Sequence, residues 1–340
     1  MRAFRLVDWG CATVLTDVDR PEPRGDEVLV RVLAAGLCHS DLHVLDAGSG
    51  ALALAPPFTL GHEIAGEVVA GPGLAAGMRV VVYGPWGCGA CGRCSTGYEQ
   101  HCDRRDELPG AGAGLGRDGG MADFLLVPSA RHLEPIGDLD PVEAAPLTDA
   151  GLTAYHAIQQ CRPLGAGSTV AVIGVGGLGH VAVQLLRVLT PAAVFAVDVR
   201  SEALELAERC GASLVTRPAA DTDRMLRQAS GGRGVDAVLD FVGSDATLDL
   251  GVRSLRAGGD FVLVGSGGGR LMVRKPGTLP PGCRISVPFW GARAELAEVV
   301  ALARAGALRV EVERFPLSAA PEAVTRLRTG GVKGRAVLIP

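Results

Sequence analysis

Thr169-Val-Ala-Val-Ile-Gly174-Val-Gly176-Gly177-Leu178-Gly179 decides the fold. Thr169–Ile173 is a β-branched run, so it reads as a buried strand. The glycines that follow fit G-x-G-x-x-G, and the apolar stretch from His180 to Leu189 reads as a helix. Alone the glycine pattern is weak. Between a strand and a helix it is the context of a dinucleotide site. Gly174 allows the tight turn. Gly176 and Gly177 let a pyrophosphate approach backbone at the helix N-terminus, beside Leu178. Gly179 permits close helix–sheet packing. Val194–Val197 reads as the next strand and ends at Asp198, 24 residues after Gly174. An acid there accepts hydrogen bonds from the adenosine ribose and repels a 2′-phosphate, which favours NAD over NADP. Arg200 blurs that preference.

Outward from this stretch, strand and helix keep alternating. Ala237–Val242 and Asp260–Gly265 read as strands with a helix between them, and an edge strand is expected near Arg284–Phe289. Alternation of this kind implies parallel βαβ units and a doubly wound α/β sheet across residues 151–290. Residues 1–150 read differently. Glu27–Leu33, Arg79–Tyr83 and Met121–Val127 are short strands between Gly and Pro clusters, and no helical period is sustained. The tail, 291–340, reads as a helix at Glu295–Ala305, a short strand, a second helix near Pro321–Arg328 and a last strand Ala336–Ile339.

The chain has 340 residues, 48 of them Gly, and a net charge of −4. The charge argues against nucleic acid as the main partner. No apolar run approaches the length of a membrane span, and no signal peptide is visible. The expected setting is the cytoplasm, where disulfides are rare. That gives weight to Cys88-x2-Cys91-x2-Cys94-x7-Cys102, four of the nine cysteines within fifteen residues. Four thiolates on small spacers make a closed tetrahedral site suited to a structural zinc. An iron–sulfur cluster is the rival reading, but the fourth Cys comes late for it and no Pro follows. Cys11, Cys161, Cys210 and Cys283 read as packing residues. His132, His156 and His180 show no carboxylate or metal partner at a telling spacing.

Gly61-His62-Glu63 and the upstream Cys38-His39-Ser40-Asp41-Leu42-His43 prove no metal site by themselves. Together with the cysteine lobe and the glycine fingerprint, they resemble the zinc-dependent medium-chain alcohol dehydrogenases over essentially the whole chain. The segments Ala34-Ala-Gly-Leu-Cys-His-Ser-Asp41, Tyr83-Gly-Pro-Trp-Gly-Cys88 and Pro146-Leu-Thr-Asp-Ala-Gly-Leu-Thr153 look closest to the bacterial NAD-dependent secondary-alcohol enzymes.

The resemblance implies a GroES-like β-rich catalytic domain over 1–150 and a Rossmann domain over 151–290. Residues 291–340 would return to the first part, with the site in the cleft between domains. It implies two zinc ions per subunit. The catalytic one would lie on Cys38, His62 and Asp149, with Glu63 nearby and able to touch it, and the structural one on the four lobe cysteines. For Asp149 the bare sequence allows a solvated loop carboxylate or a helix N-cap as well. Ser40 and His43 match the family's proton relay. Thr153 is expected near the nicotinamide, and Phe241, Val242 and Val264 against the nucleotide. His39 and Arg335 are expected on the pyrophosphate, and Phe289 and Trp290, at the end of the last Rossmann strand, are either interface aromatics or pocket lining, with the resemblance favouring the pocket. The implied reaction is reversible hydride transfer between a small alcohol, secondary by resemblance, and NAD, giving a ketone or aldehyde. The implied assembly is a homodimer or homotetramer. A polyol or sugar dehydrogenase of the same family, a non-catalytic NAD- and zinc-binding redox sensor, and an iron–sulfur electron carrier are the alternatives.

Overall fold

The computed structural model describes residues 1–50 and 55–340. It divides into two compact units, Met1–Leu152 with Trp290–Pro340, and Thr153–Phe289. No helix among the described residues is long and apolar enough to cross a membrane.

The Thr153–Phe289 unit is built on a parallel sheet. Its strand order is Leu214–Thr216, Ala193–Val197, Thr169–Ile173, Val235–Asp240, Leu255–Leu263, Arg284–Ser286. Every residue of Thr169–Ile173 is buried, as befits a central strand covered on both faces. Strand order reverses between Thr169–Ile173 and Val235–Asp240, which leaves a crevice at their carboxyl ends. Ile173, Phe195, Val238, Leu248 and Phe261 fill the core. Each such side chain contributes about 1.5–3 kcal/mol on burial.

Strand limits differ from expectation in three places. Val235–Asp240 stops before Phe241. Leu255–Leu263 starts five residues early. The edge strand stops at Ser286, two residues before Pro288, which has no N–H for a ladder. Phe289 is therefore exposed beyond the strand, and Trp290 belongs to the other unit.

In that other unit the described residues form a mostly antiparallel seven-stranded sheet. Val28–Leu37 lies between Glu63–Ala70 and Arg335–Ile339, and Phe124–Val127 pairs with its first half. Residues 290–340 thus complete a sheet begun by residue 28. Phe4, Leu37, Ile64, Val82 and Leu338 are core members. Several elements here were not expected, one helix among them. His39–Asp46 is an α-helix. Its start is set by a cap, not by periodicity: the Cys38 N–H donates to Asp41 Oδ2 at 2.8 Å. A helix of eight residues is too short to display an apolar stripe.

Candidate active site

Three elements deliver three ligand atoms to one point. Cys38 is the N-cap of His39–Asp46, His62 immediately precedes the strand Glu63–Ala70, and Asp149 immediately precedes the helix Ala150–Gln159. Asp149 Oδ2 lies 3.4 Å from Cys38 Sγ and 3.6 Å from His62 Nε2. The three ligand atoms all fall within 4.8 Å of one another. Tetrahedral zinc with ordinary bond lengths separates such donors by roughly 3.3–3.6 Å. The donor set therefore fits zinc, and three protein ligands leave a fourth position for a reacting group. His62 Nδ1 faces Asp41 Oδ1 at 3.3 Å, both groups fully buried. A carboxylate behind a ligating imidazole fixes its orientation and raises its basicity. Burial presses the His62 pKa down. Asp41 and Asp149 more than offset it and hold it well above the ordinary range, so the cluster attracts positive charge.

The cysteine lobe closes on itself. Cys88 and Cys94 sulfurs are 3.9 Å apart, Cys91 and Cys102 sulfurs 4.0 Å, and all four gather within 4.8 Å. Tetrahedral zinc–thiolate bonding requires about 3.8 Å between sulfurs. Backbone N–H groups of Ala90 and Cys91 donate to Cys88 Sγ and hold its thiol down to about 6. Glu99 sits fully buried inside the lobe. It accepts from Gly87 N at 2.8 Å and from Arg131 Nε at 3.0 Å, and meets His132 Nε2 at 3.1 Å. Burial alone would raise the Glu99 carboxyl. The bonds from His132 and Arg131 more than offset that and hold it at about 2. His132 therefore has the carboxylate partner that its spacing did not reveal.

In the other unit, Gly174 takes φ +84, a turn that only glycine adopts without strain. A Cβ on Gly179 would lie 2.0 Å from Gly174 O, so the helix Gly179–Leu189 starts against the loop. A Cβ on Gly176 would meet only Arg200 Nη2, at 3.5 Å. That open backbone before a helix N-terminus is the cradle a pyrophosphate needs. Asp198 Oδ2 accepts from Val175 N at 2.7 Å and Oδ1 from Arg200 N at 2.9 Å, so the acid also braces the loop. Phe241 and Val242 follow their strand directly, and a Cβ on Gly174 would meet Val242 Cγ2 at 2.5 Å. Val264 N donates to Asp240 O at the end of the next strand. These groups fit NAD.

Comparison with known proteins gives the same answer. Residues 24–138 match the family model described as the alcohol dehydrogenase GroES-like domain, and residues 177–305 match the zinc-binding dehydrogenase. An NAD-dependent alcohol dehydrogenase of Sulfurisphaera tokodaii is 37% identical, with each chain covered in full. The crystal structure of the alcohol dehydrogenase from Aeropyrum pernix superposes with a TM-score of 0.92 at 39% identity, again over the whole of both chains. This chain belongs to the zinc-dependent medium-chain alcohol dehydrogenases. A D-arabinose 1-dehydrogenase (NADP+) of Saccharolobus solfataricus is 33% identical over 96% of this chain and 94% of its own.

Glu63 and Arg335 of this family member meet each other beside the trio. Glu63 lies outside the ligand trio. Arg335 Nε and Nη2 donate to its two oxygens at 2.8 and 2.7 Å, and Ala150 N donates to Oε1 at 3.0 Å. Arg335 and Ala150 thus engage both Glu63 oxygens. Arg335 is buried, and its Nη2 also reaches Asp149 Oδ2 at 3.2 Å. A charge so deep requires such partners. Ser40 is half-buried, its Oγ 3.6 Å from Cys38 Sγ, and His43 is exposed one turn later on the same helix. His39 is exposed, and Thr153 is buried in the helix Ala150–Gln159. Sequence reading gave no role to Asp41 or Glu99. The Cys38–Asp41 capping interval was the available signal for the first; for the second there was none beyond its place inside the lobe.

Proposed function

We propose that this dehydrogenase oxidises small secondary alcohols to ketones with NAD, reversibly, at the Cys38–His62–Asp149 centre. The observation that carries the reading is that trio, with donor spacings that suit zinc and one position left open. Bound zinc supplies a Lewis acid for the alcohol oxygen, and bound NAD the hydride acceptor. Cys38, His62 and Asp149 hold the metal, and Asp41 keeps His62 oriented. Ser40 Oγ takes the hydroxyl proton and His43 hands it to solvent, a task suited to imidazole. Asp198 accepts the adenosine ribose hydroxyls.

The test is growth of reduced-nicotinamide absorbance with NAD across secondary alcohols, primary alcohols and polyols, with and without a zinc chelator. Chelator-sensitive turnover, fastest on secondary alcohols, is expected. Faster turnover of polyols would favour a sugar-directed enzyme, in line with the arabinose relative. Binding of zinc and NAD with no turnover would favour a sensor. Asp198→Gly is expected to weaken NAD by about tenfold to a hundredfold, the worth of bonds to a charged acceptor, and to spare NADP. An unchanged NAD to NADP ratio of dissociation constants would remove the ribose role.

Assembly and location complete the proposal. Among the described residues Arg284–Ser286 is an edge strand, and Ile285 within it and Val287 and Phe289 just after it are exposed. An unpaired apolar edge is a template for a second copy, so a homodimer or homotetramer is expected on size exclusion. A monomer would sink that idea. Four cysteines gathered as metal ligands suit a reducing compartment, so the cytoplasm is the expected location.

A further inference from the structure

Between the cysteine lobe and the strand Phe124–Val127 runs Gly110-Ala-Gly112-Ala-Gly114-Leu-Gly116-Arg-Asp-Gly119-Gly120. This segment closes on the backbone just before the ligand His62. Gly119 N donates to Thr59 O, Met121 N to Leu60 O and Gly120 N to Gly61 O, each at 2.9 Å. The contact is backbone on backbone. A Cβ on Gly114 would lie 2.6 Å from Gly61 C, and one on Gly119 would clash with Gly61 O. With no side chain between them to take up slack, the place of His62 depends on how the segment itself is held.

At its C-terminal end the holding is by strands: Phe4 N donates to Met121 O at 2.8 Å and Val32 N to Asp123 O at 3.0 Å. At its N-terminal end Arg105 gathers it. Nη1 donates to Gly110 O at 3.2 Å, Ala111 O at 3.1 Å and Trp86 O at 3.2 Å, and Nη2 to Glu99 O at 2.8 Å. Arg105 N donates to Cys102 O at 3.2 Å, so this anchor begins beside a ligand of the lobe. All four side-chain bonds go to backbone carbonyls. A planar guanidinium fork can span carbonyls from three stretches of chain, and a compact ammonium cannot. Metal ligands have to be held to within about 0.5 Å of their working places. Resting on the reading of Cys38, His62 and Asp149 as the metal centre, we propose that Arg105 is a positioning residue for the catalytic metal. It ties the cysteine lobe to the glycine segment, and the segment holds Gly61 so that His62 stands ready beside Cys38 and Asp149.

The experiment reads metal affinity, not turnover. Zinc-loaded wild type and variants are equilibrated with graded chelator, and the zinc retained per chain is measured. Asp149→Ala, which lacks one ligand of the trio, marks the step that belongs to the lobe. Arg105→Ala is expected to weaken the catalytic ion by about tenfold, in the range seen when outer support of a ligand is lost, and to leave the lobe step in place. Arg105→Lys keeps the charge without the fork and should restore little. Added guanidinium ion, well below denaturing concentration, should restore affinity to the alanine variant, which a general loss of stability would not allow. Gly114→Ala presses on Gly61 from the other end of the device and should weaken the same step. It carries the test if Arg105→Ala does not fold. Arg104→Ala, an exposed neighbour, should bind both ions as wild type does. A catalytic step unchanged in both Arg105→Ala and Gly114→Ala would overturn the proposal. So would parallel loss of both ions with no response to guanidinium, which would make Arg105 a packing residue of the lobe. If wild type itself holds only the lobe ion, the trio is not a metal centre, and the proposal falls with that reading.

Discussion

Asp149→Ala is expected to strip the catalytic zinc and leave the lobe zinc, so that metal analysis falls from two ions per chain to one. Asp149 Oδ2 is the atom that lies within 3.4–3.6 Å of both other ligands, so its removal leaves two donors for a tetrahedral ion. The lobe has four thiolates of its own and shares none of them with the centre. Loss of Lewis-acid stabilisation is worth several kcal/mol, which lowers turnover by roughly a thousandfold. Asp149→Cys should restore much of the zinc, since zinc accepts thiolate in place of carboxylate. Retention of both metals with full activity in the alanine variant would show that Asp149 is not a ligand.

Arg335→Ala is expected to cost about 3–5 kcal/mol of stability, the usual penalty for leaving a buried charge without its partner. The guanidinium and the Glu63 carboxylate share two short bonds, and neither group reaches solvent appreciably. The loss should appear as a lower denaturation midpoint. The double variant Arg335→Met with Glu63→Gln should regain much of it, because no uncompensated charge then remains. Zinc affinity supplies a second readout. Arg335 Nη2 holds Asp149 Oδ2, and removing such an outer partner typically weakens a metal by about ten- to a hundredfold. A single variant as stable as wild type, with zinc bound as tightly, would mean that the pair is only incidental to the centre.

What could be read from the sequence was local. The four cysteines lie within one short segment, and their spacing carries the chemistry. The glycine loop sits between a strand and a helix that are both visible by periodicity, so the loop, its acid and the parallel sheet were all legible. The missed features join distant parts of the chain. Glu99 and His132 are 33 positions apart, and Glu63 and Arg335 are 272 apart. No spacing rule reaches that far: Glu99 and His132 meet through two short helical turns, and Glu63 and Arg335 through strands that flank Val28–Leu37. The resemblance supplied the ligand trio, but not the buried salt bridge behind it. Trp290 was expected to end a strand of the nucleotide unit. Pro288 ends that ladder early, and the next residues cross into the unit that holds the metal ligands.

Because Arg335–Ile339 lies beside Val28–Leu37, the unit whose first residues leave the ribosome first is expected to be completed last. Domains generally fold in the order in which they leave the ribosome. Here the unit that starts at Thr153 is continuous and complete once Phe289 has emerged. The unit that starts at Met1 must wait for its last strands. Until then one side of Val28–Leu37 is an open ladder, and Glu63 has no cation. A nascent chain of this design therefore carries a finished nucleotide fold alongside an unfinished metal fold, and an unpaired strand edge of that kind is where a chaperone would find its hold.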